Sequence, residues 1–195
     1  MPERGFRRNE NNRTGQGQQT VSESFRGEFN QKVDGKARVS IPASFRRVLE
    51  AGDPSFDGSR PKFVLVYGRP GAEFIEGYTM AQMARLEARI RRMQIGSKPR
   101  RALERNFITL SQQVEIDDDG RIVLPPKARD KIGLDADMLK DGAEATFAGT
   151  LDTFQIWRRD SYDALNAAAE EDDDLDDLIP EGADMLALLS DEPEE

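Results

Sequence analysis

Two stretches of the chain repeat one order of apolar and polar positions. In the first, Phe25, Phe29 and Val33 punctuate a polar run that reaches a turn at Gly35. A short apolar segment, Arg38–Ile41, follows and ends at Pro42. In the second, Leu110 to Ile116 leads to Gly120, then to Arg121–Leu124 and the pair Pro125-Pro126. Alternation and short apolar runs of this kind predict strands. Proline ends each second strand, because it cannot donate to a ladder yet fits the first turn of a helix. A short amphipathic helix is expected next, carrying Phe45, Val48 and Leu49 in one half and Ala128, Lys131 and Ile132 in the other. Gly52 and Gly133 stand where helix C-caps favour glycine. A β-hairpin then closes each half, turning at Gly68–Gly71 and near Gly149–Asp152.

The likeness survives residue-by-residue comparison. Setting "VDGKARVSIPASFRRVL" (33–49) over "IDDDGRIVLPPKARDKI" (116–132) pairs Val33 with Ile116, Asp34 with Asp117, Arg38 with Arg121, Pro42 with Pro125 and Arg46 with Arg129. "FVLVYGRPGAEFIEGY" (63–78) answers "ATFAGTLDTFQIWRRD" (145–160), with Phe74 near Phe154. A repeat of whole supersecondary units predicts two halves of one pseudo-symmetric structure. The organisation expected is a first half over 25–78, a connector over 79–107 and a second half over 108–165. In the connector, Met80, Met83, Leu86, Ile90 and Met93 form one helical stripe. "GSKP" (96–99) interrupts it, and Ser97 is placed to cap a second helix bearing Leu103 and Phe107.

Charge divides the chain differently. The net charge is −9, yet residues 160–195 hold 15 acidic and no basic residues, leaving 28 basic against 22 acidic in 1–159. A basic body with an acidic tail suggests a polyanion partner, a charged interaction tail, or both. Residues 81–105 contain eight Arg or Lys against two Glu, which suits either a solvated helix face or a functional basic surface. Residues 1–24, rich in Asn, Gln, Gly and Arg, are expected to be a disordered leader, since they offer little apolar surface to offset ordering entropy. Residues 166–195 read as an acidic, mostly disordered tail. Its "DMLALL" could form a short docking helix for a protein partner, and its charge could compete with a polyanion for the basic body.

Several chemistries are excluded by composition. There is no cysteine and no histidine, so thiol chemistry and the commonest metal ligand and general base are missing. No apolar run approaches the roughly 20 residues of a membrane span, and no signal-peptide core is present, which predicts a cytoplasmic protein. Asp117-Asp118-Asp119 fails as a calcium loop, because Arg121 stands at the fifth position, where an EF-hand needs an oxygen ligand, and no glutamate stands at the twelfth. A catalytic carboxylate pair is not repeated in the first half, which offers only Asp34. No metal, cofactor or enzymatic activity is expected.

What does repeat is an aspartate four positions before an arginine, across a tight turn. Asp34 and Asp117 can brace the guanidinium groups of Arg38 and Arg121, and a pre-aimed fork suits phosphate or the O6/N7 edge of guanine. The same pair could equally do no more than close a β-turn. Asp118 and Asp119 have no role assigned by this pattern.

"VDGKARVSIPASFRRVLEAG" and "IDDDGRIVLPPKARDKIGLD" each resemble the AbrB-type swapped-hairpin DNA-binding module. Two tandem copies behind "FRGEFNQKVD" resemble the MraZ family of bacterial transcriptional regulators, over about residues 25 to 165. The resemblance implies a β-rich α+β fold, with two intertwined AbrB-like barrel halves, short helices and subunits assembled in a homo-oligomeric ring. It implies binding of double-stranded DNA at direct repeats containing guanine runs, upstream of the division and cell-wall gene cluster, by a nucleoid-associated protein. Arg38 and Arg121 would touch DNA, Asp34 and Asp117 would position them, and Lys36 would add a phosphate or base contact. The chain departs from the family at Ala37, where a turn glycine is usual, and at Asp118 and Asp119, where a basic residue is common. An AbrB-like antitoxin or transition-state factor, or a ring-forming interaction adaptor, are the alternative readings.

Overall fold

The computed structural model describes residues 24–171 and 185–186. The leader (but for Ser24) and the acidic tail beyond residue 171 (but for Met185 and Leu186) lie outside the described residues, and with them most of the DMLALL segment.

The predicted strands form where the pattern placed them. The first half contains β1 (Glu28–Val33), β2 (Arg38–Ser40), β3 (Lys62–Val66) and β4 (Phe74–Thr79). The second contains β5 (Ser111–Glu115), β6 (Arg121–Val123), β7 (Ala143–Thr150) and β8 (Thr153–Arg158). Helix α1 (Ala43–Ala51) starts after Pro42 and buries Phe45, Val48 and Leu49. Helix α4 (Pro126–Lys131) buries Ala128 and is followed by the buried Ile132. Lys131 points outward instead, donating from Nζ to the Arg69 carbonyl at 2.7 Å.

All eight strands belong to one sheet, in the order β5-β3-β4-β8-β7-β1-β2-β6, and every pairing is antiparallel. The sheet curls into a nearly closed barrel. Its order shows how the halves intertwine. β1 lies along β7, from Glu28↔Ala148 to Val33↔Ala143, while β5 lies along β3, from Lys62↔Glu115 to Val66↔Ser111. Each first strand thus pairs mainly with the opposite half: β1 meets its own hairpin partner at a single position, Val33↔Val39, and β5 and β6 stand at the two ends of the strand order. The remaining joints are symmetric about themselves. β2 crosses β6 with Val39 opposite Ile122, and β4 crosses β8 with Phe74 opposite Trp157 and Gly77 opposite Phe154.

One apolar cluster fills the barrel and takes residues from both halves, including Val39, Phe45, Phe63, Ile122, Leu124, Phe147 and Phe154. Phe154 is its centre, with ring centroids of Phe25, Phe45, Phe63 and Phe147 at 5.0, 5.2, 5.8 and 6.0 Å. These tilted and stacked contacts add to the burial of large apolar area.

The connector forms α2 (Met80–Arg92) and α3 (Lys98–Leu103). Thr79 caps α2 in a capping box with Gln82, and Ser97 caps α3 as its position in "GSKP" suggested. Met83 and Ile90 of the predicted stripe are buried, and Met80 and Leu86 pack beside Val64, Val66 and Met83. Past Leu103 the helix widens into a π-helical segment, Glu104–Thr109, where Leu110 N–H reaches the Arg105 carbonyl at 3.0 Å.

Some local expectations are met and others are revised. Gly52 does close α1, but with φ −90°, so no left-handed residue is needed there. Glycine is required because a Cβ would lie 2.5 Å from the Thr79 side chain. Gly133 behaves as predicted: at φ +67° its N–H reaches Asp130 O at 3.2 Å while Leu134 N–H reaches Arg129 O at 3.0 Å, a Schellman closure. Two helices were not predicted. α5 (Ala136–Asp141) is capped by Asp135, and α6 (Arg159–Glu171) docks Tyr162 against Trp157 at 5.9 Å.

Candidate nucleic-acid interface

The two aspartate–arginine turns stand at opposite ends of the β2–β6 ribbon. Cross-strand pairs are Arg38↔Val123, Val39↔Ile122 and Ser40↔Arg121. Side chains directly opposite each other share a face, and neighbours along a strand alternate. Val39 and Ile122 therefore point into the core, 1% and 2% exposed, and Arg38, Ser40, Arg121 and Val123 share the outer face. The ribbon extends through Leu124 N–H to the Ala37 carbonyl and Ile41 N–H to the Gly120 carbonyl, each at 2.9 Å. The residue before each arginine is thus hydrogen-bonded to the other half.

Both turns have the same backbone. Asp34 N–H donates to Arg38 O at 3.0 Å, and Ala37 N–H returns to Asp34 O at 2.8 Å. In the second turn Asp117 N–H donates to Arg121 O at 2.8 Å, and Gly120 N–H returns to Asp117 O at 2.9 Å. The position before the arginine is left-handed in both, at φ +59° for Ala37 and +74° for Gly120. Ala37 adopts the conformation that glycine favours, against the steric cost of its Cβ.

Each aspartate holds its arginine at two levels. Asp34 Oδ1 accepts the backbone N–H of Lys36 and of Arg38, both at 2.9 Å, while Oδ2 accepts Arg38 Nε at 2.7 Å. Asp117 Oδ1 accepts the N–H of Asp119 at 3.0 Å and of Arg121 at 2.8 Å, and Oδ2 faces Arg121 Nε at 3.4 Å. The backbone N–H of Arg38 holds the Asp34 carboxyl below its ordinary pKa, and that of Arg121 does the same for Asp117. Both stay ionised at neutral pH. The guanidinium groups are part-exposed, and Lys36, its N–H fixed by Asp34, is exposed two residues before Arg38.

Asp118 and Asp119 acquire partners that the local pattern did not reveal. Asp118 forms a bidentate pair with Arg60, at 2.8 Å from Nε and 2.7 Å from Nη2. That hydrogen bonding lowers the Asp118 pKa and raises that of Arg60. Asp119 takes the Arg121 guanidinium at Nη2. Asp117 and Asp119 thus share Arg121, while Asp118 turns away to Arg60. No group of three or more metal-ligating side chains exists among the described residues. Arg46, from α1, covers the second turn so closely that a Cβ on Gly120 would lie 2.0 Å from its Nη1. Sequence reasoning missed Arg60 and Arg46. Basic character, and for Arg46 its match to Arg129 in the repeat, did not point to the turns, which they reach through the strand exchange.

A nearly closed antiparallel barrel of two intertwined halves, each displaying a braced arginine on a shared ribbon, defines a tandem swapped-hairpin protein. Known sequences agree. The profile of the MraZ protein family, whose description adds an antitoxin-like relationship, matches twice, over residues 24–106 and 107–177. The "Transcriptional regulator MraZ" of Cereibacter sphaeroides is 60% identical over 169 residues, covering 87% of this chain and 97% of its own. The proteins of the same name from Ruegeria pomeroyi and Ligilactobacillus salivarius are 46% identical over 170 residues and 31% over 157. They cover 87% and 80% of this chain, and each is matched over 96% of its own length. The chain belongs to the MraZ family. It is a transcriptional regulator and not an enzyme. No helix among the described residues is long and apolar enough to cross a membrane.

Proposed function

We propose that this regulator binds double-stranded DNA sequence-specifically through the outer face of the β2–β6 ribbon. The observation that carries the reading is the placement of Arg38 and Arg121 on one face, each braced by its own aspartate. A two-stranded ribbon fits the major groove, and a pre-oriented guanidinium matches guanine O6/N7 bidentately. Lys36 adds a phosphate or base contact at the first turn. Bracing lowers the conformational entropy lost when each fork engages its base.

The target is a set of direct repeats with guanine runs, upstream of the division and cell-wall gene cluster, in the nucleoid of the cytoplasm. One ribbon gives modest affinity, because each bidentate arginine–guanine pair discriminates by only about 1–3 kcal/mol. A homo-oligomeric ring presenting several ribbons to tandem repeats multiplies this through effective concentration, so repeat spacing becomes part of the recognition.

Fluorescence anisotropy tests the reading with a duplex of three guanine-run repeats, a single-repeat duplex and a scrambled one, at two salt concentrations. Selective binding by wild type, weaker on the single repeat and lost in Arg38→Ala, is the expected result. Equal, salt-sensitive binding to all three would leave only charge attraction. Light scattering on the free protein checks the ring, and a monomer at working concentration would remove the multivalent part.

A further inference from the structure

The two ends of the ribbon share a backbone but not a chemistry. In the internal repeat Lys36 is equivalent to Asp119, and Gly35 to Asp118. The first turn therefore sets one aspartate against a lysine and an arginine, and the second sets three aspartates against one arginine. Among the described residues Arg38 is held by Asp34 alone, which fixes Nε and leaves the two outer guanidinium nitrogens without an ion pair of their own. Arg121 is held by Asp117 at Nε and Nη2 and by Asp119 at Nη2, so two of its three guanidinium nitrogens face carboxylates. The flanking positions differ as well. Arg38 stands opposite Val123, which is 58% exposed, and Arg121 stands opposite Ser40.

A bidentate contact with guanine needs two guanidinium N–H groups aimed outward together. Nε and one Nη of Arg121 are engaged within the turn, and Asp119, 69% exposed, adds negative charge where phosphates would approach. Asp118 is screened differently, since its bidentate bond with Arg60 neutralises it in place. Among the described residues Asp119 has no such outside cation, and its charge is met by Arg121 alone.

We propose that the ribbon reads DNA from one end: Arg38 makes the discriminating contact, and Asp119 is a negative specificity residue that keeps Arg121 from engaging a base. This rests on the DNA-binding reading above and predicts an asymmetric footprint for each ribbon. Asp119 acts through Arg121, so its effect must vanish when Arg121 is gone.

The test is a mutant cycle on the full chain, read by anisotropy on the three-repeat and scrambled duplexes. Its members are wild type, Arg38→Ala, Arg121→Ala, Asp119→Asn and Asp119→Asn/Arg121→Ala, each checked for an unchanged melting temperature. Asparagine keeps the shape of Asp119, and the turn's own closure through Asp117 is untouched. Removing Arg38 is expected to weaken repeat binding by ~5–150-fold, the range for one bidentate base contact, and removing Arg121 by less than ~3-fold. Asp119→Asn is expected to tighten repeat binding by ~3–10-fold, a fraction of one such contact, and the added Arg121→Ala to erase that gain. Equal losses for the two arginines, with no change in Asp119→Asn, would overturn the proposal while leaving DNA recognition standing. A gain that persists without Arg121 would overturn it too, by showing that Asp119 merely repels phosphate. Failure of wild type to prefer the repeats would instead remove the underlying DNA-binding reading.

Discussion

Phe74 and Phe154 are matched by the sequence repeat, yet Phe74 lies opposite Trp157 and Phe154 opposite Gly77, so they face opposite sides of the β4–β8 pair and do very different work. Phe154 is fully buried at the centre of the barrel, ringed by four phenylalanines. Phe74 sits at the rim, 4.7 Å from Trp157 with the Arg69 guanidinium 5.7 Å over its face. The arginine turns show the converse. Ala37 and Gly120 differ in residue type yet share one left-handed backbone, because the same sheet register fixes both. Pseudo-symmetry is thus a property of hydrogen-bonded backbone. Side chains diverge where a one-residue shift in strand register turns a sequence-matched position to the other face of the sheet.

The sharpest break in that comparison comes from the two phenylalanines. Phe154→Ala is expected to cost ~3–5 kcal/mol, as for large-to-small changes in rigid cores, and Phe74→Ala roughly half as much. Urea denaturation of both variants measures this, and equal losses would mean that the rim is packed like the centre.

Next in size are the turn residues. Gly120→Ala places a Cβ at φ +74° against Arg46 Nη1, and is expected to destabilise by about 2 kcal/mol, of which roughly 1–2 is the left-handed penalty. Ala37→Gly relieves a similar backbone penalty, about 1 kcal/mol, but exposes the space of a buried methyl worth about 0.8 kcal/mol. The near-cancellation predicts a melting temperature close to wild type, which scanning calorimetry of the pair would check.

The smallest effect lies in acid. Asp34 and Asp117 are held below their ordinary pKa by backbone N–H groups, and Asp118 by the Arg60 side chain. A depressed folded pKa contributes stability above the unfolded value, about 3.9, and loses it as pH falls through the folded value. Melting temperature should therefore drop more steeply below about pH 4 in wild type than in Asp34→Asn or Asp117→Asn. All three groups are exposed to solvent, so the contribution of each is small. Parallel curves would show that the turns are held by their backbone bonds alone.

Much of the molecule was legible in the amino-acid order because its signals are local. Strand alternation, the prolines after β2 and β6, the Ser97 cap and the repeated aspartate–arginine spacing each act within a few residues, so pattern reading placed these elements and the two braced arginines. The misses have physical causes too. "LDADMLKDG" carried an Asp cap and a terminal glycine for α5, but at six residues its periodicity is too short to stand out. α6 merged into the acidic run that follows it, and the π-helical turn has no composition of its own.

What only the tertiary structure decided is long-range register. Mutual burial laid β1 along β7 and β5 along β3, and nothing in either strand alone specifies that partner. The strand exchange turned Arg38 and Arg121 onto one face and brought Arg60 to Asp118 across 58 positions. It also set Arg46 over Gly120 and placed Phe154, rather than Phe74, at the centre. Sequence determined which groups are present and how each turn closes, since those bonds span four residues. Folding determined which groups meet, because that depends on how two amphipathic halves bury their apolar faces together.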